Sequence, residues 1–383
     1  MTDNYKMMFG ELPKEYHAPM EKGDQPELDE SELCSPEDIR KFQSLIGAVQ
    51  WTISLCRFDV VHAVMSLGRF RTAPRVGHLE RLKRLCGYLR KRAHGAIRFR
   101  TGIPNHEGTY GAEPVKYDWM ETVYGTPVEE IDPRAPTPKG NKVRTTTFCD
   151  ANLMHDVVTG RSASGIQDFL NQTPIDWFGK RQNQVETATY GSEFMVARQA
   201  VERLIDLRHT LRSFGVPLDG PAWMFGDNKS VVTSSTIPHS TLSKRWNALS
   251  YHRVREAVAA GWLRFEHMPG TENPADIFTK PLPWHTLRQS VEPTLFWKGD
   301  TMEAPGNESP EGSDATHVAG PGLQTPRDVH PPSTDGGWNT VSATGRNGRI
   351  PNPGVTNQST GVTGSAGAHV LSNNMYAVLH EHD

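Results

Sequence analysis

Apolar residues first recur at helical spacing at Phe42, Leu45, Ile46, Val49 and Ile53, a pattern that predicts a helix with one buried face. Its start is well punctuated: Ser35 stands at the N-cap, Pro36 at the first helical position, and Glu37 and Asp38 fall in the first turn, where they complement the helix dipole. A second helical stretch covers roughly 59–67, with Val60, Ala63, Val64 and Leu67 as its apolar side. A third, roughly 77–92, aligns Leu79, Leu82, Leu85, Cys86 and Leu89. From residue 144 the rhythm changes. Strand-like segments at 145–150 (TTTFCD), about 163–170 (ASGIQDFL) and about 174–178 (PIDWF) precede a long helical pattern over about 188–214. Then come a strand at 222–227 (AWMFGD), a short helix near 228–235, a helix near 243–260 ending at Gly261, and a strand at 262–267 (WLRFEH). A last helix opens at Asp276. Three meandering strands followed by alternating helices and strands predict an α/β domain with a mixed five-stranded sheet.

The pattern divides the chain into an acidic arm at 1–34, a helical region at 35–100, a linker at 101–143, the sheet domain at 144–285 and a tail at 286–383. The tail is rich in Gly, Pro, Ser, Thr and Asn, and is expected to hold too few large apolar residues to offset the entropy of ordering. The arm reads as a strap or loose segment. A length of 383 residues is enough for two or three structural units.

Net charge, at −3, gives no hint of a polyanion partner. The average conceals an asymmetry: between Arg69 and Arg100 stand eleven Lys or Arg residues against the single acid Glu80. Either the third helix has an ordinary solvated basic face, or Arg81, Arg84, Arg90 and Lys91 meet phosphates. Cys34, Cys56, Cys86 and Cys149 are scattered without a C-x-x-C pair or zinc spacing, which suggests reduced thiols in an intracellular protein. No apolar run has the length of a membrane span and the N-terminus lacks a signal pattern, so secretion and membrane spanning are not expected.

Four acids come from four different elements. Asp150 ends the first strand, Asp227 ends the fourth, Glu193 lies near the start of the crossover helix and Asp276 opens the last helix. If the first and fourth strands are parallel neighbours, Asp150 and Asp227 emerge at one sheet edge. Carboxylates so gathered raise one another's pKa unless a cation neutralises them, and oxygen-only ligands select Mg2+ or Mn2+. Two such ions support in-line displacement at a phosphodiester. Each acid also has a plain alternative: Asp227 as a cap for the next helix, Glu193 as a solvated helix residue, Asp150 as a strand end, Asp276 as an N-cap.

Several ordered segments carry a family resemblance: FQSLIGAVQWTISLCRFDVVHAV, RFRTAPRVGHLERLKRLCGYLR, CDAN, GRSASG, DWFGKRQ, ETATYGSEF, GDNKSVV, YHRVREAV and NPADIFTKPL. Over about 35–285 the chain resembles the C-terminal part of copia-type retrotransposon Pol polyproteins, where the end of the reverse transcriptase is followed by a ribonuclease H domain. The resemblance implies a ribonuclease H-like fold, active-site acids at Asp150, Glu193, Asp227 and Asp276, and metal-dependent cleavage of the RNA strand in an RNA–DNA hybrid. It also implies that residues 35–100 correspond to the thumb and connection that grip template and primer. Arg161, Ser162, Lys180, Arg181 and Gln182 are candidate backbone contacts, with turn-forming or solvated roles as the alternative. A cytoplasmic particle is the implied location, with the rest of a reverse transcriptase as a further partner in trans.

The chain departs from the family pattern at Asn152, where a second Asp is common, and at Arg245–Trp246, where Lys-His is usual. His267 belongs to the last strand rather than to a mobile loop, and His252 reads as a packed helix residue. No Asp-Asp dipeptide occurs, so a polymerase site is not expected. Two other readings stand beside the hybrid ribonuclease. One is a silent nucleic-acid-binding remnant of the element, with Ile46, Val49 or Leu85 left exposed by loss of the polymerase palm. The other is a DNA-directed nuclease on the same sheet.

Overall fold

A computed structural model describes residues 2–107, 118–125, 127–242 and 244–297. Its principal sheet begins with three antiparallel strands, β2 (Thr145–Asp156), β3 (Arg161–Leu170) and β4 (Thr173–Arg181), numbered after a short β1 (Gly95–Ile97). Asn171, at φ 54°, and Gln172 turn β3 into β4, a two-residue connection that needs a residue tolerant of the left-handed region. The helix α5 (Thr189–Ser213) then crosses over to β5 (Ala222–Gly226), which runs parallel to β2. After α6 (Lys229–Thr236) and α7 (Ala248–Ala259), β6 (Leu263–His267) adds in parallel to β5. The strand order β4-β3-β2-β5-β6 makes the mixed five-stranded sheet expected from the order of elements, and agrees with the ribonuclease H-like fold that the resemblance implied. Helix α5 packs through Phe194, Ala197, Val201 and Leu204 onto Cys149, Ile166 and Met224 of the sheet.

One expectation about position changes. Strand β2 runs twelve residues, so Asp150 lies within it and not at its end. The parallel ladder with β5 nevertheless stops at Cys149 opposite Gly226. Asp150 and Asp227 are the next residues on the two strands, which leave the ladder side by side.

The N-terminal helices α2 (Pro36–Ser54), α3 (Val61–Gly68) and α4 (Val76–Lys91) enclose a separate core. Ser35 caps α2 as predicted, accepting from the Asp38 amide at 3.1 Å. Ile46, Val49 and Leu85 are all fully buried, which removes the exposed surface that a remnant lacking its palm was expected to show. Of the two readings of residues 1–34, a strap or a loose segment, the structure has the strap. A first helix, α1 (Thr2–Phe9), buries Tyr5 in this core, and Met20 and Cys34 join it. The reason is complementary chemistry: acids and apolar residues alternate along the arm, so it can pack while pairing with α4. Arg81 bonds Asp24 at 2.9 Å and also Asp29, Arg84 bonds Glu21 at 2.6 Å, Arg90 donates to the Pro13 carbonyl at 2.8 Å, and Lys91 lies 3.0 Å from His17. The basic face predicted for phosphate is thus lined by the arm.

The tail boundary at 286 is also too early. Helix α8 (Trp284–Val291) and strand β7 (Leu295–Trp297) continue the folded part, and β7 pairs antiparallel with β1. The sequence from 298 onwards, where the disordered tail was expected, lies outside the described residues. Within the linker, Trp119 is buried and Glu129 binds Arg208 and Arg212 of α5 at 2.9 and 2.5 Å.

Between the helices and the sheet sits a short 3-10 turn, Pro274–Phe278. Gly165 and Gly179 make its seat. A Cβ on Gly165 would stand 2.7 Å from the Ala275 carbonyl, and one on Gly179 would stand 2.4 Å from a Val61 methyl. Phe278 fills the space with Phe58 and Val61. The glycines of GRSASG and WFGKRQ therefore allow close approach.

Candidate active site

Asp150, Glu193 and Asp227 each place a carboxylate oxygen within 4.8 Å of the others. The geometry follows from the fold. The first and third leave adjacent parallel strands at the same end, and the crossover helix brings Glu193 back over that end in its first turns. Asp150 and Glu193 are buried, and Asp227 is half-buried. Burial, followed by the charges of Asp150 and Asp227, holds the Glu193 carboxyl well above its ordinary value. Burial and Asp150 push Asp227 up in the same direction. Such a group is costly when ionised and unaccompanied, and every donor in it is a hard oxygen. A divalent cation of the Mg2+ or Mn2+ class fits both facts.

Asp276 is not part of this triad. It lies inside the 3-10 turn, whose N-cap is Asn273, so the helix-capping alternative for Asp276 does not hold. Asn273 performs that role, accepting from the Ala275 amide at 3.0 Å while donating to the Cys149 carbonyl at 2.9 Å. The turn is thereby fixed against β2 one residue from Asp150. Asp276 instead receives a 2.6 Å bond from Lys280 Nζ, which also lies 3.4 Å from Asp150 Oδ1. Burial and the Asp150 charge, partly offset by Lys280, bring Asp276 up to about 7. Thr279 donates its hydroxyl to Asp150 Oδ2. Thr279, Lys280 and Asn273 were not singled out from the sequence, although all three fall in NPADIFTKPL.

His267 ends β6, with Nε2 3.1 Å from the Asp227 backbone carbonyl, so its ring braces the strand end. His252 is exposed and contacts the Tyr124 hydroxyl at 2.6 Å, contrary to the packed role expected for it. Asn152 donates to the Thr279 carbonyl at 3.1 Å, binding the turn where a second acid was common in the family pattern.

The candidate backbone contacts separate into two groups. Arg161, Lys180 and Arg181 line one cleft with Arg69, His155 and Asn183. Lys180 is exposed there, whereas Arg181 also pairs with the buried Asp156. Gln182 and Ser162 are buried, and Gln182 donates to Ser164 and to the Ser192 carbonyl, each at 3.0 Å. Gln182 thus ties β4 to α5 and is not presented to a ligand.

No family model matches the chain. Curated relatives include the retrovirus-related Pol polyproteins from transposons RE1 and RE2 of Arabidopsis thaliana, 25% and 24% identical over 247 residues, or 64% of this chain. A third, from transposon TNT 1-94 of Nicotiana tabacum, is 23% identical over 242 residues. The chain spans only 14% of the length of the first two relatives. Among solved structures, the N-terminal RNase H domain of rv2228c from Mycobacterium tuberculosis matches at 12% identity and a TM-score of 0.29, over 39% of this chain and 98% of that one. RNase H1 of Halobacterium salinarum matches at 17% identity and a TM-score of 0.27, over 36% and 95%. The chain is thus similar over 64% of its length to plant retrotransposon Pol polyproteins, and its mixed five-stranded sheet has a ribonuclease H-like strand order.

Proposed function

We propose that the chain is an endoribonuclease that cleaves the RNA strand of RNA–DNA hybrids and uses two Mg2+ or Mn2+ ions. The observation that carries this reading is the meeting of Asp150, Glu193 and Asp227 within 4.8 Å at the end of a parallel strand pair. Asp150, Glu193 and Asp227 hold the ions, with Asp276 as the fourth acid. When bound, such ions activate water and stabilise the leaving oxygen of an in-line displacement. Thr279 orients Asp150 by its hydroxyl bond, and the strands and α5 keep the three carboxylates in place without reorganisation. Arg161, Lys180 and Arg181 face the backbone of the hybrid, whose RNA strand is distinguished by shape and 2′-hydroxyls. The rest of a reverse transcriptase is proposed as a further partner in trans.

The test uses the full chain, a labelled hybrid and Mg2+, with Asp150→Asn and EDTA as controls. RNA-strand cutting lost in both controls supports the assignment. Cutting of DNA duplex in its place reassigns the site to a DNA nuclease, and binding by folded protein without cutting reassigns the chain to a silent remnant.

A further inference from the structure

The cation already present at this cluster belongs to the protein. Lys280 Nζ lies 2.6 Å from Asp276 Oδ1 and 3.4 Å from Asp150 Oδ1, while the Lys280 amide bonds the Asp276 carbonyl at 3.1 Å. The ammonium is therefore held over Asp276 by the same turn that supplies the acid. Only about a third of the Lys280 side chain is exposed, so its position is set by packing as well as charge. Thr279 occupies the other Asp150 oxygen. The acids that converge within 4.8 Å of one another are Asp150, Glu193 and Asp227, and Asp276, which holds the lysine, is not among them.

We infer that Lys280 is a positioning residue that acts as a tethered cation on the Asp276 side, so that the resting site takes one divalent ion, among Asp150, Glu193 and Asp227. This rests on the metal-dependent reading above and refines it. An ion placed between Asp150 and Asp276 would face an ammonium at close range in a half-buried site, where like charges repel strongly. Asp276 joins a ligand set only after Lys280 moves away. Two carboxylates share the lysine, so its removal leaves them with an unmet negative charge that a second ion satisfies.

Mn2+ binding to the full chain, followed by calorimetry and by the loss of free-ion EPR signal, tests this without reference to turnover. Wild type is expected to take one ion per chain in the tight phase. Lys280→Met should take a second, at least about tenfold more tightly than any second ion on wild type. Lys280→Arg should keep one. Adding Asp276→Asn to Lys280→Met should abolish the second ion, and Asp276→Asn alone should retain the single ion of wild type. Equal stoichiometry and affinity in wild type and Lys280→Met would overturn the inference, as would two tight ions on wild type. If Lys280→Met does not fold, loss of the single ion in Asp276→Asn overturns it instead. Absence of Mn2+ binding in wild type defeats the metal-dependent reading itself, a result distinct from one ion on every variant.

Discussion

Gly165 and Gly179 pair directly across the β3–β4 ladder, and a side chain on either would collide with the element packed above it. The obstacles differ: the Ala275 carbonyl for Gly165, the Val61 side chain for Gly179. Gly165→Ala must shift the backbone that carries Asp276, whereas Gly179→Ala can be met in part by a side-chain move. Both are expected to lose about 1–3 kcal/mol in urea unfolding. Only Gly165→Ala should also lower hybrid cleavage well beyond the change in folded fraction.

Thr279→Val keeps the shape of the turn and removes the hydroxyl that Asp150 accepts from. Loss of such an orienting partner typically costs about 10–100-fold in metal affinity or activity. Cleavage rates with Mg2+ should fall into that range while Thr279→Ser stays near wild type. Equal rates for all three proteins would show that Asp150 is positioned without this bond.

Asp168 supplies a pH test away from the acid cluster. It is buried beneath Thr147, which donates at 2.6 Å, and Arg203, at 3.5 Å. Burial outweighs both partners and brings its pKa up to about 6 from an ordinary 3.8. Because the folded value lies above the unfolded one, its contribution is full below pH 3.8 and is lost as pH rises through about 6. From pH 4 to 7, wild type should therefore lose on the order of 2 kcal/mol more stability than Asp168→Asn. Parallel stability curves for the two proteins in EDTA would contradict this.

The acids of the arm occupy α4 arginines that were candidates for phosphate contact, so weakening the arm tests that role. Glu21→Gln with Asp24→Asn removes the acid partner of Arg84, which keeps its stacking on Tyr16, and one of the two acid partners of Arg81. The exposed Arg84–Glu21 pair is worth about 0–1 kcal/mol and Arg81 keeps Asp29, so the protein should remain folded. Binding to a hybrid measured by fluorescence anisotropy should tighten, with a steeper dependence on salt. Unchanged affinity and slope would leave the α4 arginines as purely structural.

Local chemistry made much of this architecture readable. The start of α2 was legible because Ser35, Pro36 and the apolar spacing all act within a few residues, and the order of strands was legible because β2, β3 and β4 are joined by short turns. Contacts across long sequence distances were hidden. Lys280 and Thr279 meet Asp150 from about 130 residues away, and nothing in their immediate surroundings signals an acid above them. The arm misled for a related reason: its acids resemble a solvated segment until Arg81 and Arg84 of α4 are set beside them. Asp276 looked like a cap because it follows Pro274 closely, yet Asn273 lies one residue before that proline and takes the role.

The pairing of β1 with β7 has a consequence for synthesis. Ile97 and Leu295 are register partners, so the strand that covers β1 leaves the ribosome only after the whole sheet domain has been made. Until then Phe58 and Ile97 lack the covering residues Leu295 and Trp297. The region around β1 therefore completes its packing only after β7 has been made, and a nascent chain halted before residue 295 would carry an unclosed seam for chaperones to recognise.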